Sequence, residues 1–311
     1  MSGVTGRRRA SPLAAWCRKP WAAILFLGLL VPALSAEAGM LEKVRETGVF
    51  RIGYRVDAGP FAYRDRDGRA AGYSVELCER IAVDLGKAAS LGQLSVEYVP
   101  VGTEERLEAV AEGRIDILCG VTTASLSRRE TVSFSIPTFI TDIAVMVDVD
   151  AARPLKALIS GRSAPSEETV MEALRDKTFG VRAGTTAESW LRDNLQDLAA
   201  GANLVTVSDH RDGLQKLQNG EIDAYVADRA ILVGLARSAD NPDRFIIGER
   251  LFTIEPYALA IPRGDEDFRL VVDRTLSRLY RSRAFDTLLA RYFGKPKETT
   301  RLLYLAVSLP E

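Results

Sequence analysis

Strand-like and helix-like hydrophobic patterns alternate along most of the chain. Alternation over residues 49–54 predicts a strand. Within 75–85, apolar residues recur at helical spacing behind Ser74 as a candidate N-cap, and Thr103 is a candidate cap of a short helix. Further strands are predicted over 94–99, 115–118, 178–181, 203–207, 223–226 and 257–262, and further helices over 185–198, 209–219, from about 228 and within 266–293. This alternation is typical of α/β proteins with largely parallel sheets.

The pattern also divides the chain into two halves. Residues 107–118 and 214–226 both run from a helix through a glycine and an acidic residue into a strand. Glycine suits the position that ends a helix, so we interpret the two segments as the same local motif, which occurs once in each half. Between them, residues 150–166 are rich in small residues, Pro, Ser and Arg and predict a loop. Two lobes are therefore more natural than one.

The first forty residues have the composition of an export signal. Five basic residues precede an apolar run over 21–34, and the small residues Ala36 and Ala38 flank Glu37. This order predicts a secretory signal peptide over residues 1–38, because the apolar run is shorter than the roughly 20 residues that a spanning helix needs. An uncleaved anchor is the alternative, and the choice between Sec and twin-arginine export stays open. We expect an exported, periplasmic protein.

Composition and charge exclude several classes of protein. The 311 residues are 47% hydrophobic, which argues against disorder and a disulfide scaffold. The net charge is −1, and without residues 1–38 the chain has 36 basic and 41 acidic residues. Neither balance favours nucleic-acid binding. A single histidine excludes metal sites that need two, and no nucleotide-binding or hydrolase motif occurs. Cys78 and Cys119 could form one disulfide or remain two buried thiols.

Polar residues gather where two predicted strands end. Residues 120–130, GVTTASLSRRE, present hydroxyl groups and two arginines, and residues 182–190, RAGTTAESW, open a helix with Gly-Thr-Thr. Backbone N–H groups at a helix start favour an anion such as a carboxylate, and an arginine can pair with it through two hydrogen bonds. Ligands of open α/β sheets gather beyond the carboxyl ends of the strands. These segments are candidate parts of an anion-binding site.

Together these stretches resemble the bacterial extracellular solute-binding proteins of family 3, the binding subunits of polar amino-acid ABC importers. The resemblance covers about residues 41–294 and is closest to the glutamate/aspartate-binding branch. It is carried by LEKVRETGVFRIGYR, PFAYRDRDGRAAGYSVELCERIA, LEAVAEGRIDILCGVTTASLSRRETVSFSIP, KTFGVRAGTTAES and LSRLYRSRAFDTLLARYFG. It implies an α/β, two-lobed periplasmic binding protein type II fold, with two crossing strands as the hinge. Lobe 1 would comprise residues 39–140 plus 258–311 and lobe 2 residues 141–257, with hinges near Thr141 and Tyr257.

The resemblance also implies which residues hold the backbone groups of an amino acid. Arg128 matches the arginine that binds the ligand's α-carboxylate, and Thr123 would add a polar contact. Thr185 and Thr186 match positions that contact a carboxylate at a helix start. Asp228 matches the acidic residue that pairs with the α-ammonium group; its alternative role is that of a helix N-cap.

Four further residues match positions of the acidic-ligand branch. Arg55 and Arg106 match basic residues that contact the ligand's distal carboxylate, and Thr103 and His210 match a hydroxyl residue and a histidine of that pocket. Neutral ligands would leave the arginines unpaired, which provides selectivity. Val121 departs from the branch, which often has serine there.

The sequence therefore predicts a receptor that binds glutamate or aspartate and delivers it to the membrane permease and ATPase subunits of an ABC importer. We expect a monomer without a cofactor, a metal or a nucleic-acid partner, and not an enzyme. One alternative is a binder of another polar amino acid. Another is a dehydratase of the same fold, although no convincing proton-transfer pair is apparent. A sensor or lyase fusion would need a second domain, for which we expect no room. The tail over 299–311 has no predicted function.

Overall fold

The computed structural model describes residues 39–162, 165–198 and 201–311. The predicted signal peptide, residues 1–38, lies outside the described residues. The strands are β1 (Val49–Tyr54), β2 (Asp57–Ala58), β3 (Ala62–Arg64), β4 (Ala70–Ala71), β5 (Ser95–Pro100), β6 (Ile117–Cys119), β7 (Ser133–Phe134), β8 (Phe139–Thr141), β9 (Ile143–Asp148), β10 (Thr178–Arg182), β11 (Asn203–Val207), β12 (Ala224–Asp228), β13 (Phe245–Ile247), β14 (Glu255–Tyr257) and β15 (Ala260–Ile261). The helices are α1 (Met40–Thr47), α2 (Tyr73–Ala88), α3 (Arg106–Ala111), α4 (Arg153–Ile159), α5 (Glu167–Leu174), α6 (Thr186–Leu198), α7 (His210–Gln218), α8 (Arg229–Ser238), α9 (Glu266–Tyr280), α10 (Arg283–Phe293) and α11 (Glu298–Val307).

Ten of these strands form two five-stranded sheets. The first has the order β5-β1-β6-β15-β7 and the second the order β11-β10-β12-β9-β13. Strand β1 is parallel to β5 and β6, and β10 is parallel to β11 and β12. Strand β15 is antiparallel to both its neighbours, and so is β9. Each sheet is thus parallel except for one reversed strand, which confirms the predicted α/β class.

Two short strands, β8 and β14, account for the reversed direction of β9 and β15. Strand β8 directly precedes β9, β14 directly precedes β15, and the two pair in antiparallel register, with Glu255 opposite Thr141 and Tyr257 opposite Phe139. After this pair, the chain enters the other sheet from the side at which its parallel strands end. The predicted strand over 257–262 is consequently split between the crossing pair and the first sheet. The lobe boundaries at 140/141 and 257/258 stay a prediction.

The same local arrangement occurs once in each sheet. Gly113 and Gly220 follow α3 and α7 with φ of 68° and 71°, a left-handed conformation that glycine adopts without strain. Three residues later, the carboxylates of Asp116 and Asp223 accept the backbone N–H groups of Arg51 in β1 and Thr178 in β10, at 2.7 and 2.9 Å. In each sheet, the segment that follows a helix is thereby bonded to an inner parallel strand.

Apolar residues cover both faces of the second sheet. On β9, Val145 and Val147 join one buried cluster, whereas Ala144 and Met146 join another on the opposite face. This division follows the period of two along a strand. A sheet buried on both faces is a rigid support for the polar residues beyond its strand ends.

Three sequence predictions about local structure are wrong. Ser74 lies inside α2, whose N-cap is Gly72, and its hydroxyl donates to the carbonyl of Gly120 at 3.3 Å. Thr103 is not the cap of α3, whose N-cap position is Glu105. The loop predicted over 150–166 contains α4, because Pro154 suits a first turn and buried Leu155 and Ile159 lie one turn apart.

The C-terminal tail is a helix that packs on the hydrophobic core beside the first sheet. Tyr304 of α11 is 4% exposed, and its hydroxyl donates to the carbonyl of Thr138 at 2.9 Å. Its ring lies against those of Tyr280 and Phe285, with centroids 5.0 and 4.5 Å away. The tail helix therefore shares one hydrophobic core with the first sheet.

Cys78 of α2 and Cys119 of β6 are joined by a disulfide, with their Cα atoms 6.3 Å apart. The bond closes a loop with a sequence separation of 41 residues. Replacing both cysteines by alanine should lower the free energy of unfolding by about 4 kcal/mol, because the unfolded chain gains the entropy of the opened loop. Urea unfolding with and without a thiol reductant measures this loss in the unmodified chain. An unchanged midpoint after complete reduction would contradict the expectation.

Candidate functional site

The polar segments from the strand ends meet in one pocket between the two sheets. Residues after β1 and β6 line one side, and residues at the ends of β10 and β12 and at the starts of α6 and α7 line the other. The pocket lining comprises Arg55, Arg106, Val121, Thr123, Arg128, Arg182, Thr185, Thr186, Ala187, His210, Ala227 and Asp228. The site lies beyond the carboxyl ends of parallel strands, as the sequence predicts.

Three arginines of this pocket, Arg55, Arg106 and Arg182, are buried, and Arg128 is half-buried. Arg55 is 2% exposed, and burial lowers its pKa to about 10. Burial, with the neighbouring charges of Arg128 and Arg55, lowers the pKa of Arg106 to about 9. Burial and the charge of Arg55 lower the pKa of Arg182 to about 10, and burial lowers that of Arg128. All four remain cationic at neutral pH, and their buried charges favour an anionic ligand.

The carboxylate of Asp57 forms ion pairs with two of these arginines, Arg55 and Arg182. Oδ1 of Asp57 accepts from Nε and Nη2 of Arg55 at 3.2 and 3.0 Å, and Oδ2 forms an ion pair with Nη1 of Arg182. Asp57 belongs to β2, beside the first sheet, whereas Arg182 ends β10 of the second sheet. The ion pair therefore joins the two sides of the pocket.

The other two arginines form no ion pair with any residue in the described ranges. Nη1 and Nη2 of Arg106 reach only the carbonyl of Gly184, at 3.5 and 3.4 Å, and its buried Nε has no partner there. Nη1 of Arg128 donates to the carbonyl of Thr123 at 2.9 Å. Arg106 and Arg128 are therefore the two cations of the pocket that no described carboxylate pairs with, and both have donors left for the carboxylates of a ligand.

Asp228 is the carboxylate that faces these cations. Its Oδ2 accepts from the hydroxyl of Tyr257 at 2.5 Å, and its buried Oδ1 has no partner among the described residues. Burial raises the pKa of Asp228 to about 7, against the hydrogen bond from Tyr257, which lowers it. Asp228 occupies the N-cap position of α8, but its side chain forms no capping hydrogen bond. Its free oxygen can accept a hydrogen bond from a cationic group.

The start of α6 presents two hydroxyl groups with different partners. Thr185 donates to the carbonyl of Arg182 at 2.8 Å and accepts from the N–H of Glu188 at 3.1 Å, so its hydroxyl caps the helix. The hydroxyl of Thr186 donates to Oε2 of Glu255 at 3.0 Å. The first N–H groups of a helix have no acceptor within it, and they lie beside the pocket here.

His210 lies at the back of the pocket. It is 4% exposed, and its Nδ1 is 2.9 Å from the hydroxyl of Tyr225. Burial and the charges of Arg55 and Arg182 hold the pKa of His210 well below its usual value, so the ring is neutral. A neutral ring can donate one hydrogen bond and accept another.

The structure places eight of the nine predicted ligand-binding residues in this pocket. Thr103 instead lines a neighbouring cavity with Arg182 and Ser208, where its buried hydroxyl has no partner among the described residues. Sequence reasoning missed Arg182 and Asp57. The sequence contained one signal for Arg182, because this residue directly follows the strand predicted over 178–181 and lies two residues before the Gly-Thr-Thr helix start.

None of the helices in the described ranges combines the length and hydropathy needed to cross a bilayer. The same ranges contain no group of three or more His, Cys, Asp or Glu side chains arranged to hold a metal ion.

Comparison with known proteins gives a consistent result. The family model of bacterial extracellular solute-binding proteins, family 3, matches residues 50–295. The chain is 29% identical over 276 residues to the L-glutamate/L-aspartate-binding protein of Pseudomonas aeruginosa, covering 88% of this chain and 86% of that protein. It is 28% identical over 273 residues to the L-cystine-binding protein TcyJ of Escherichia coli, covering 88% and 92%. The solved structure of a cysteine-binding protein from Campylobacter jejuni aligns with a TM-score of 0.69 at 25% identity, covering 85% and 97%. These similarities confirm the predicted fold.

Proposed function

This chain belongs to the bacterial extracellular solute-binding proteins, family 3, and we propose that its pocket binds an acidic amino acid, glutamate or aspartate. The family supports a role as the periplasmic binding component of an amino-acid ABC importer. The ligand would be passed to the membrane permease, which works with an ATPase subunit. The identity of the ligand is the open question, since similar proteins bind glutamate and aspartate, cystine or cysteine.

The observation that carries the proposal is the formal charge of the pocket. The lining includes four arginines, Arg55, Arg106, Arg128 and Arg182, against one carboxylate, Asp228. Asp57 lies beside the pocket and pairs with Arg55 and Arg182, whereas Arg106 and Arg128 form no ion pair with any described residue. The lining therefore has an excess of positive charge, and the two carboxylates of glutamate or aspartate would pair with Arg106 and Arg128. A neutral amino acid would leave one buried cation unpaired, which is costly inside a closed cleft.

Each charged group of the ligand has a partner in this arrangement. The α-carboxylate would pair with Arg128 and lie at the start of α6, where Thr123, Thr185 and Thr186 are near. The α-ammonium group would donate to the free Oδ1 of Asp228. The distal carboxylate would then reach Arg106, with Arg55 and His210 beside it. Hydrogen bonds between such charged groups contribute about 1.5–3 kcal/mol each.

We further propose that binding closes two lobes on the ligand. Lobe 1 would comprise residues 39–140 plus 258–311 and lobe 2 residues 141–257, with the paired strands β8 and β14 as the hinge near Thr141 and Tyr257. Closure would replace the water around the ligand by these fixed polar groups. The protein would act as an exported monomer and release its ligand chemically unchanged.

Titration calorimetry of the purified protein tests the ligand. The panel comprises glutamate, aspartate, glutamine, arginine and cystine at pH 7.5. We expect glutamate or aspartate to bind at least about 100-fold more tightly than glutamine, because glutamine leaves a buried arginine unpaired. Tight binding of cystine without binding of either acidic amino acid would contradict the proposal. An NMR spectrum of the recovered ligand would expose any catalysed conversion.

A further inference from the structure

Asp57 links the two sides of the pocket through a single carboxylate. Each of its oxygens binds a different arginine, Arg55 from the first lobe and Arg182 from the second. Its side chain is 18% exposed, and that of Arg182 is 9% exposed. An ion pair so far withdrawn from water is screened little by solvent or salt, and it affects the charge felt by a neighbouring ligand.

The packing around β2 indicates that this ion pair forms only when the two lobes lie close together. Gly234 of α8, in the second lobe, lies so near the turn after β2 that an added Cβ would be 2.9 Å from the carbonyl of Gly59. The segment that carries Asp57 is thus pressed against the second lobe. Separation of the lobes would move Arg182 away from Asp57 and leave both groups without this partner.

The ion pair also distinguishes the arginines that already have a carboxylate partner from those that could pair with a ligand. Arg55 and Arg182 already share the charge of Asp57, whereas Arg106 and Arg128 form no ion pair with any described residue. Two free cations match the two carboxylates of an acidic amino acid. If Asp57 were neutral, the pocket would carry one more positive charge and would suit a ligand with one more negative charge.

We propose that Asp57 is a specificity-determining residue, an internal counter-ion that adjusts the closed pocket to a ligand of net charge −1 and against a dianion. This inference rests on the proposed function, and it concerns selectivity between ligand charges. Arg182 is the positioning partner that brings the second lobe to Asp57. Removal of Asp57 or Arg182 shifts the preferred ligand charge in opposite directions.

The test compares two ligands that share a five-carbon skeleton and two carboxylates. L-Glutamate carries a net charge of −1, and glutarate, which lacks the ammonium group, carries −2. The measured quantity is the ratio of the dissociation constant of glutarate to that of glutamate. A change in the ease of lobe closure affects both ligands alike and leaves this ratio unchanged.

We expect Asp57→Asn to lower this ratio by about tenfold or more, because the extra positive charge favours the dianion. Arg182→Gln should raise it by a similar factor. Asp67→Asn is the matched control, because Asp67 lies nearby in the chain, its side chain is 71% exposed and it pairs with Arg69 on the surface. That variant should leave the ratio unchanged.

The outcomes separate the two proposals. If the unmodified protein binds glutamate and the ratio in Asp57→Asn stays within twofold of its value, Asp57 does not determine specificity and the inference is wrong. If Asp57→Asn does not fold, an unchanged ratio in Arg182→Gln overturns it equally. An unmodified protein that binds neither acidic amino acid contradicts the proposed function; the role of Asp57 is then tested by glutarate alone, because Asp57→Asn should bind glutarate more tightly than the unmodified protein does, and binding that is not tighter overturns the inference.

Discussion

Arg128→Ala is expected to weaken glutamate binding by about 30- to 5,000-fold, which corresponds to about 2–5 kcal/mol. In the proposed complex, Arg128 is the partner of the α-carboxylate, and its loss would leave that charge unpaired in the closed cleft. Its guanidinium donates within the protein only to the carbonyl of Thr123, among described residues. Folding should therefore depend little on it. Calorimetric titration at pH 7.5 measures the loss of affinity.

The adjacent residue provides the control for this variant. Arg129 is exposed and does not line the pocket, so Arg129→Ala removes the same charge from the same short 3₁₀ helix. It should bind glutamate within about twofold of the unmodified protein, since surface charges contribute little. Thermal unfolding of both variants checks that the fold is retained. Normal binding by Arg128→Ala would show that the α-carboxylate is held elsewhere.

The fold was largely predictable because its strands and helices have clear hydrophobic periods. The segments over 178–182 and 203–207 follow from their patterns, and so does their α/β arrangement. Helix α4 was missed because it is short and buries only Leu155 and Ile159, which is too weak a period for a sequence pattern to indicate. The split of 257–262 depends on which sheet each residue joins, and the sequence does not specify that.

The candidate site was predictable where its chemistry is local. Thr185 and Thr186 stand at a helix start that the sequence indicates, and Asp228 stands where the helix predicted from about 228 begins, after the strand predicted over 223–226. The partnership of Asp57 and Arg182 was missed because 125 residues separate them in the chain, and only the folded arrangement of β2 and β10 brings them together. Thr103 lies near Arg106 in the sequence but lines a neighbouring cavity, and its role as a ligand-binding residue stays a prediction.

We also expect Asp228 to determine how ligand binding depends on pH. Its pKa of about 7 results chiefly from burial, and several neighbours act on it. Tyr257 donates a hydrogen bond and Arg128 contributes a positive charge, which both lower the pKa, whereas the charges of Glu255 and Asp142 raise it. His210 remains neutral because its own pKa is held well below its usual value. Near neutral pH, Asp228 is therefore the lining residue that titrates.

Glutamate affinity and protein stability should respond to pH in opposite directions. The ligand's ammonium group needs an ionised Asp228, so the affinity should fall by up to about tenfold for each pH unit below the pKa of about 7. The carboxyl of Asp228 has a higher pKa in the folded protein than the ordinary value of 3.8. Its contribution to stability is therefore fully present below the ordinary pKa and is lost as the pH rises through about 7. Without ligand, lowering the pH from 7 to 5 should make this contribution larger by about 2 kcal/mol.

The variant Asp228→Asn distinguishes the titration of Asp228 from that of the other ionisable groups. The amide does not titrate, so the variant should bind glutamate at least about 30-fold more weakly at pH 8, with an affinity nearly constant down to pH 5. Subtracting its unfolding free energy from that of the unmodified protein at each pH isolates the contribution of Asp228, since other carboxyls titrate in both. Calorimetric titration and urea unfolding at pH 8, 7, 6 and 5 supply both quantities. A glutamate affinity of the unmodified protein that stays constant from pH 8 to pH 5 would show that Asp228 is not the partner of the ammonium group. In that case the acidic amino acid would have to be recognised through its two carboxylates alone.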